Sequence, residues 1–532
     1  MIHARFIALL SVLSFAAILP AQEASGGTTP SLVNTQSPEL DLREDFTLCA
    51  AWKGQATRIQ AASTLVLSKE RTPEQNKLMG AVQIASKSLS TLVNLPASKR
   101  PEDFEEQLVA LRKERQENER ALNRSLGLDA IMATPNFETL IAAIPEGAAM
   151  VDYYVNDHLF AWTANTEGEI RLHYLGEADE VKEMSEAFLS DLISRRGAEG
   201  LSMEDAPDFN AKLYEKIWKP LKEDLTGREQ ILLCPDGFLG KLPFAVLQDE
   251  EGTYLLERHD FIYLEDPTAH VKWPKEVTVS DGSLLAVGNV DYGKKPRALE
   301  STKEQDYLAM ARNIDLRAAM DAAWIPLEAT KVEARVIAGM HAFTSGEDVP
   351  RGILSEERAT ETRLKEELPR YNFIHIATHG FFNPPELDNQ LPGLSAGLVC
   401  ANANEEQEEG QDDGLLTAEE VSYLDLHDCY MVVLSACETA LGSVQAGEGL
   451  QSLRRAFTIA GADSVISSMW KVGDESTAEL MKSFYENMWV KKQGRSEALR
   501  NAQLSMLNHW RDNGTDGWPS TWGAFVLAGE WR

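Results

Sequence analysis

Two apolar runs in this 532-residue chain end in side chains that could do chemistry together. MVVLSAC, residues 431–437, closes on Cys437, and FIHIATHG, residues 373–380, closes on His379-Gly380. A free thiol has a pKa of about 8.5 and is mostly protonated at neutral pH. A neighbouring imidazole can take that proton and later return it to a leaving amine. The carbonyl under attack then needs N–H donors for its developing negative oxygen, and glycine lets the backbone come close. Gly380 and the amide of Cys437 itself are the candidates. Each residue also has a plainer reading. A lone cysteine after an apolar strand is more often an inert core residue, and a strand histidine more often a satisfied one. His375, on the same strand face as His379, is read in that plain way.

The pair can meet only if both runs are parallel neighbours in one sheet. In open parallel sheets, ligands bind beyond the carboxyl ends of the strands. The sequence supports such a sheet from about residue 327 onward. Helical patterns at LEATKVEARVIAG and ATETRLKEEL precede strand NFIHIATHG. Strand LSAGLVC, helix LLTAEEVSYL and strand YMVVLSAC follow. Then come helix GEGLQSLRRAFTIAGA, strand DSVISSMWKV, helices at about 474–491 and 496–510, and strand WGAFVLAG. This alternation predicts a mostly parallel α/β sheet with crossover helices.

Upstream the pattern differs. AAMVDYYV, HLFAWTA and EIRLHYL are short, β-rich and separated by turn residues, which predicts an antiparallel meander. Helical patterns at about 178–194 and 209–225 follow, then strands EQILLC, HDFIYLE and SLLAVGNV. Residues 46–136 read as helical, with Phe104, Leu108, Leu111, Leu122 and Leu126 at helical spacing, and predict a hairpin that packs on the next domain. Residues 22–45 read as a flexible polar leader. The segment NEEQEEGQDDG, residues 404–414, carries six acids and no base and reads as a solvated loop.

Composition narrows the function. The net charge is −32, with 51 Lys+Arg against 83 Asp+Glu. No basic cluster offsets it, so a nucleic-acid surface is not expected. The five cysteines, Cys49, Cys234, Cys400, Cys429 and Cys437, match no zinc spacing, and no metal or organic cofactor is expected. His3 and Arg5 precede the apolar residues 6–19, and small polar residues follow. That layout predicts an export signal over residues 1–21 and a periplasmic or extracellular protein, the alternative being a membrane anchor if the segment stays uncleaved.

Many segments together resemble the CHAT domain, a caspase-like branch of the clan that includes caspases, separase and gingipains. They are WIPLEATKVEA from Trp324, HIATHGFF, DGLLTAEEV, VVLSACETALG, AGEGLQSLRRAFTIAGADSVISSMWKV, EALRNAQ and WGAFVLAG, with LLCPDGFLGKLPFAVL, YLLERHDFIYL and LLAVGNVDYG upstream. The span from 379 to 437 is near the roughly 50 residues between His and Cys in caspases. The resemblance implies a caspase-like catalytic domain over 301–532 and an earlier pseudo-caspase-like half over 137–300 without its own dyad. It implies a cysteine endopeptidase with His379 as base, Cys437 as nucleophile, a protein substrate and a regulatory protein partner. It also offers Asp474, in WKVGDESTA, for recognising a basic side chain; the plainer reading of Asp474 is a helix N-cap. Two alternatives stay open here. One is a non-catalytic scaffold or partner-binding module, with Cys437 occluded or bridged to Cys429 or Cys400. The other is a latent protease whose cleft is covered by 404–414 or by the helical region.

Overall fold

The computed structural model describes residues 41–54, 72–93, 103–126, 135–194, 209–273, 282–294, 324–346, 348–382, 392–394, 396–405, 412–435, 443–445, 449–451, 453–470, 472–513 and 519–532, together with 57, 58, 60, 61 and 101. Residues 6–19, read above as the core of an export signal, lie outside these. Among the described residues no helix is long and apolar enough to cross a membrane.

Helix α1 (Leu42–Lys53) opens inside the stretch read as a leader, because the Asp41 carboxylate accepts from the amides of Arg43 and Glu44 and caps it. Helices α2 (Pro73–Val93) and α3 (Phe104–Leu126) form the hairpin expected from their apolar spacing. Helix α4 (Phe137–Ala142) leads into β1 (Ala148–Val155), β2 (His158–Asn165) and β3 (Ile170–Glu177), an antiparallel meander. After α5 (Ala178–Ser194) and a broken helical stretch come β4 (Gln230–Cys234), β5 (Asp260–Tyr263) and β6 (Leu284–Val290). Helix α6 (Glu328–Ser345) returns the chain to β7 (Arg351–Glu356), and α7 (Glu361–Glu367) leads to β8 (Phe373–Ile376). Three short strands, β9 (Gly380–Phe382), β10 (Ala396–Val399) and β11 (Leu415–Thr417), precede α8 (Ala418–Ser422) and β12 (Met431–Leu434). A small ladder of β13 (Ser443–Gln445) and β14 (Gly449–Gln451) is followed by α9 (Leu453–Ala460), β15 (Ser464–Ser468), α10 (Asp474–Tyr485), α11 (Arg495–Asp512) and β16 (Phe525–Gly529).

Eleven strands form one sheet in the order β3-β2-β1-β4-β5-β16-β15-β12-β8-β6-β7. Seven of its ten neighbouring pairs are parallel; β1–β2, β2–β3 and β15–β16 are antiparallel. The fold is therefore α/β with a large, mostly parallel sheet flanked by helices. Both faces of the central strands are covered, which is why they read as continuous apolar runs rather than alternating ones. Phe373, Met431, Val433 and Ile466 face a core that includes Ile337 of α6 and Tyr485 of α10. Ile374, Ile376, Val432 and Leu434 face the opposite core, which includes Leu364 of α7 and Phe457 of α9.

Several sequence expectations are corrected. LSAGLVC is not a strand of the parallel sheet: β10 pairs antiparallel with β9 and β11 in a separate three-stranded sheet. LLTAEEVSYL is not one helix. Thr417 caps α8 and Glu420 reaches back to the Thr417 amide, so Leu415–Thr417 stay extended. GEGLQSLRRAFTIAGA likewise begins as β14 and becomes helical only at Leu453. Edge strand β7 carried no clear signal, since its residues are only partly covered.

The amino-terminal helices are tied into the sheet by buried charge. Lys53 closes α1 at 3% exposure. Its ammonium donates to Asp152 Oδ1 at 2.6 Å, Tyr153 O at 2.7 Å and Cys234 O at 2.8 Å. Asp152 and Cys234 are paired across β1 and β4, so one ammonium clamps two strands. Burial works against the Lys53 charge, but the Asp152 carboxylate beside it wins and holds the ammonium above its usual range. The hairpin docks elsewhere: Leu89, Leu92, Phe104 and Leu108 pack with Leu394, while Lys87 meets Glu361 at 3.0 Å and Asp412 at 2.7 Å. The carboxyl end of the acidic 404–414 segment is thus an ion-pair site rather than a solvated loop.

Two outcomes follow from these ties. Lys53→Met strands a buried carboxylate and should cost about 3–5 kcal/mol, read as a lowered denaturation midpoint; Lys53→Met with Asp152→Leu should recover much of it. An unchanged midpoint in the single variant would remove the clamp. Burial opposes the Asp412 charge, yet Lys87 and Thr362 beside it hold its carboxyl down at about 2. Its contribution is therefore complete above about pH 4 and lost as pH falls toward about 2. Amide exchange in α2 and α3 should speed up across that window, and Lys87→Met should flatten the change.

Candidate functional site

Strands β8 and β12 are parallel neighbours, as the chemistry requires. Their pairs are Phe373–Met431, Ile374–Val432, His375–Val433 and Ile376–Leu434, a constant offset of 58 residues. That offset is the one separating His379 from Cys437 in the sequence. The ladder continues with Ser435 N–H donating to Ile376 O at 2.9 Å. Cys437 lies outside the described residues, two peptide units beyond Ser435. His379 and Gly380 are described, and both stand past the carboxyl end of β8. The strand stops at Ile376, so His379 sits in the connection to β9 rather than within β8.

Neighbouring loops hold the imidazole. His379 Nε2 lies 2.8 Å from Ile325 O. A carbonyl only accepts, so Nε2 carries the hydrogen in the neutral ring and the lone pair belongs to Nδ1. The ring lies between Tyr292, with centroids 5.1 Å apart, and Trp324, at 5.3 Å. The residue is 8% exposed. Trp324 is fixed in turn by Asn404, whose Oδ1 accepts from Trp324 N at 2.8 Å and whose Nδ2 donates to Trp324 O at 3.0 Å. Asn404 N donates to Tyr292 O at 2.8 Å, so one residue braces both rings. Tyr292 Oη is 2.8 Å from Thr378 Oγ1, which donates to Val399 O at 2.7 Å.

Gly380 opens β9 opposite Leu398, and Val399 N donates to His379 O at 2.9 Å. In an antiparallel ladder this makes Gly380–Leu398 a non-hydrogen-bonded pair, so the Gly380 N–H points away from β10. Asp474 begins α10, but the cap position is Gly473, whose carbonyl accepts from Thr477 N at 3.0 Å. The reading of Asp474 as the N-cap is corrected by one residue; its side chain lies outside the described residues.

A buried polar cluster lies beneath the strand ends. Ser435 Oγ donates to Glu333 Oε1 at 2.7 Å, and His375 Nε2 is 3.0 Å from the same oxygen, off the hydrogen-bond axis. His375 Nδ1 is 3.2 Å from Tyr485 Oη. His375 is thus a partnered core histidine, as read from sequence. Helix α6 brings Glu333 here because it lies tight on β6: a Cβ on Gly288 would fall 2.5 Å from Thr330 O.

The fold and site can now be set beside known proteins. Residues 208–530 match the CHAT domain family. The chain belongs to that family. Tetratricopeptide repeat protein 28 of Mus musculus and of Homo sapiens are each 25% identical to this CHAT protein over 352 residues. The alignment covers 60% of this chain and 13% of theirs, so the chain spans only a small part of those relatives. Among solved structures, the Arg-specific cysteine proteinase gingipain R overlays with a TM-score of 0.37 and 11% identity, over 66% of this chain and 75% of its own. A chain of the Saccharomyces cerevisiae separase–securin complex overlays with 0.39 and 9% identity, over 94% of this chain and 41% of its own.

Sequence reasoning missed Ile325, Tyr292, Asn404 and Glu333 as parts of the CHAT site. A backbone carbonyl such as Ile325 O leaves no trace in a sequence. Glu333 does: it shares a helical face with the buried Thr330, Ile337 and His341, an acid where apolar residues are expected. Among the described residues no group of His, Cys, Asp and Glu is arranged to hold a metal ion. Cys400 and Cys429 are buried free thiols.

The clamp on Trp324 has a spectroscopic consequence. Wild-type protein with labelled histidine should show His379 as the Nε2–H tautomer by long-range proton–nitrogen correlation. Asn404→Ala removes two hydrogen bonds to the Trp324 backbone and should mix the tautomers. An unchanged Nε2–H signal in the variant would show that Asn404 does not hold the ring.

Proposed function

We propose that this CHAT domain is a cysteine endopeptidase. The observation that carries the reading is the parallel β8–β12 pair, whose constant offset equals the His379–Cys437 separation. With Nε2 directed to Ile325 O, the Nδ1 lone pair of His379 is the base that takes the Cys437 proton. The thiolate attacks a peptide carbonyl, and the amides of Gly380 and Cys437 stabilise the oxyanion. Collapse breaks the C–N bond, and the imidazolium gives its proton to the leaving amine. Water, deprotonated by His379, then hydrolyses the thioester. Asp474 at the start of α10 would receive a basic side chain preceding the cut. The substrate is a protein, the protein is exported if residues 1–21 act as a signal, and no metal takes part.

The low exposure of His379 supports a second, related reading, in which the peptidase is latent. The Trp324 segment covers the imidazole, and Asn404, the first residue of the acidic segment, pins it. A regulatory protein that shifts this segment would admit substrate.

Thiol chemistry tests the assignment. Burial pushes the Cys49, Cys234 and Cys400 thiols up, and pushes Cys429 up to about 12. Below about pH 9 iodoacetamide should therefore modify the native chain at Cys437 alone, since the thiolate is the nucleophile. Cys437→Ala should abolish labelling and peptide-library cleavage, and His379→Ala should slow cleavage by about 10²–10⁴. Cleavage that survives Cys437→Ala would refute the proposal.

A further inference from the structure

We infer that Glu333 is a positioning residue for the Cys437–His379 pair: its buried carboxylate ties the exit of β12 to α6, the helix whose preceding residues orient His379. This rests on the peptidase reading above, and deepens it.

The argument begins with what Glu333 touches. The side chain is 4% exposed, and its Oε1 accepts from one strand and lies close to a second. Ser435 Oγ, at 2.7 Å, belongs to the residue that leaves β12, two positions before Cys437. His375 Nε2, at 3.0 Å, belongs to β8, four positions before His379. Both residues project to the same face of the sheet, toward α6 and α10. Tyr485 Oη from α10 is 3.2 Å from His375 Nδ1, and burial, with the nearby Glu333 charge, keeps that phenol protonated. Tyr485 can then donate to Nδ1, which leaves the hydrogen of His375 on Nε2, beside the Glu333 carboxylate but off the hydrogen-bond axis.

Helix α6 also reaches the imidazole. Four residues before α6 is Trp324, stacked on His379, and next to it is Ile325, whose carbonyl fixes the His379 tautomer. The helix start is pinned to the end of β6 through Asn289 N–H, which donates to Thr330 Oγ1 at 2.8 Å. One rigid element therefore orients the base at its amino end and, one turn in, holds the strand that leads to the nucleophile. A carboxylate on α6 that accepts from Ser435 resists movement of the β12 exit away from that helix more than neutral packing would, because hydrogen bonds to a charged acceptor are the stronger kind.

The test uses full-length protein and the rate of Cys437 carbamidomethylation between pH 5.5 and 9.5, with thermal midpoints measured alongside. In wild type the rate should titrate with a midpoint near or below about pH 7, well under the roughly 8.5 of a free thiol, and His379→Ala should move it up. Ser435→Ala and Glu333→Ala should each lower the rate at pH 6.5 at least about tenfold and raise the midpoint, as misplacement of a paired thiol requires. Glu333→Gln can still accept from Ser435 and should lose less than Glu333→Ala. Ser435→Ala deletes a single hydroxyl and carries the test if Glu333→Ala does not fold. A Ser435→Ala protein that keeps the wild-type rate and midpoint, while His379→Ala shifts them, overturns the role of Glu333 and leaves the peptidase reading standing. A wild-type profile like that of a free thiol, unmoved by His379→Ala, sinks the peptidase reading and this inference with it.

Discussion

The register of two parallel strands governs this protein. In a parallel pair buried on both faces, sliding by one residue would turn every side chain to the wrong core. Phe373 and Met431 are committed to one core, and Ile374 and Val432 to the other. The offset between β8 and β12 is therefore fixed by hydrophobic burial along their whole length. Among the described residues the last contact of the ladder is Ser435 N–H on Ile376 O, one residue beyond β12. His379 stands past the end of β8.

Around that rim, helix α6 unites functions that sequence keeps apart. The residues before it cover and orient His379, its first turn locks onto β6, and its buried face holds the carboxylate that receives Ser435. The aromatic pair Tyr292 and Trp324 comes from segments on either side of residues 295–323, and Asn404 braces both. An imidazole held between two rings with its Nε2–H on Ile325 O has little freedom left.

The amino-terminal helices are part of the same body. Lys53 is bonded to both β1 and β4, and the α2–α3 hairpin is paired through Lys87 to acids that follow β7 and precede β11. These contacts exchange water for protein ligands around buried charges, so each partner is costly to remove alone. They also place the hairpin against Leu394, ten residues or so from the strand that carries Gly380.

The sequence by itself determined the apolar strands, the amphipathic helices and the antiparallel meander, because these depend on periodicity and on residue chemistry at the ends of runs. It misjudged LSAGLVC and the starts of α8 and α9, where a strand and a capped helix share one short apolar stretch and periodicity cannot separate them. Only the tertiary structure decided which strands are neighbours, and that β10 belongs to a separate sheet. Nor could sequence show that a backbone carbonyl at Ile325 orients His379, or that Glu333 lies against Ser435 and His375. Those facts depend on non-local hydrogen bonds, whose partners lie 54 and 102 residues apart and leave no periodic mark along the chain.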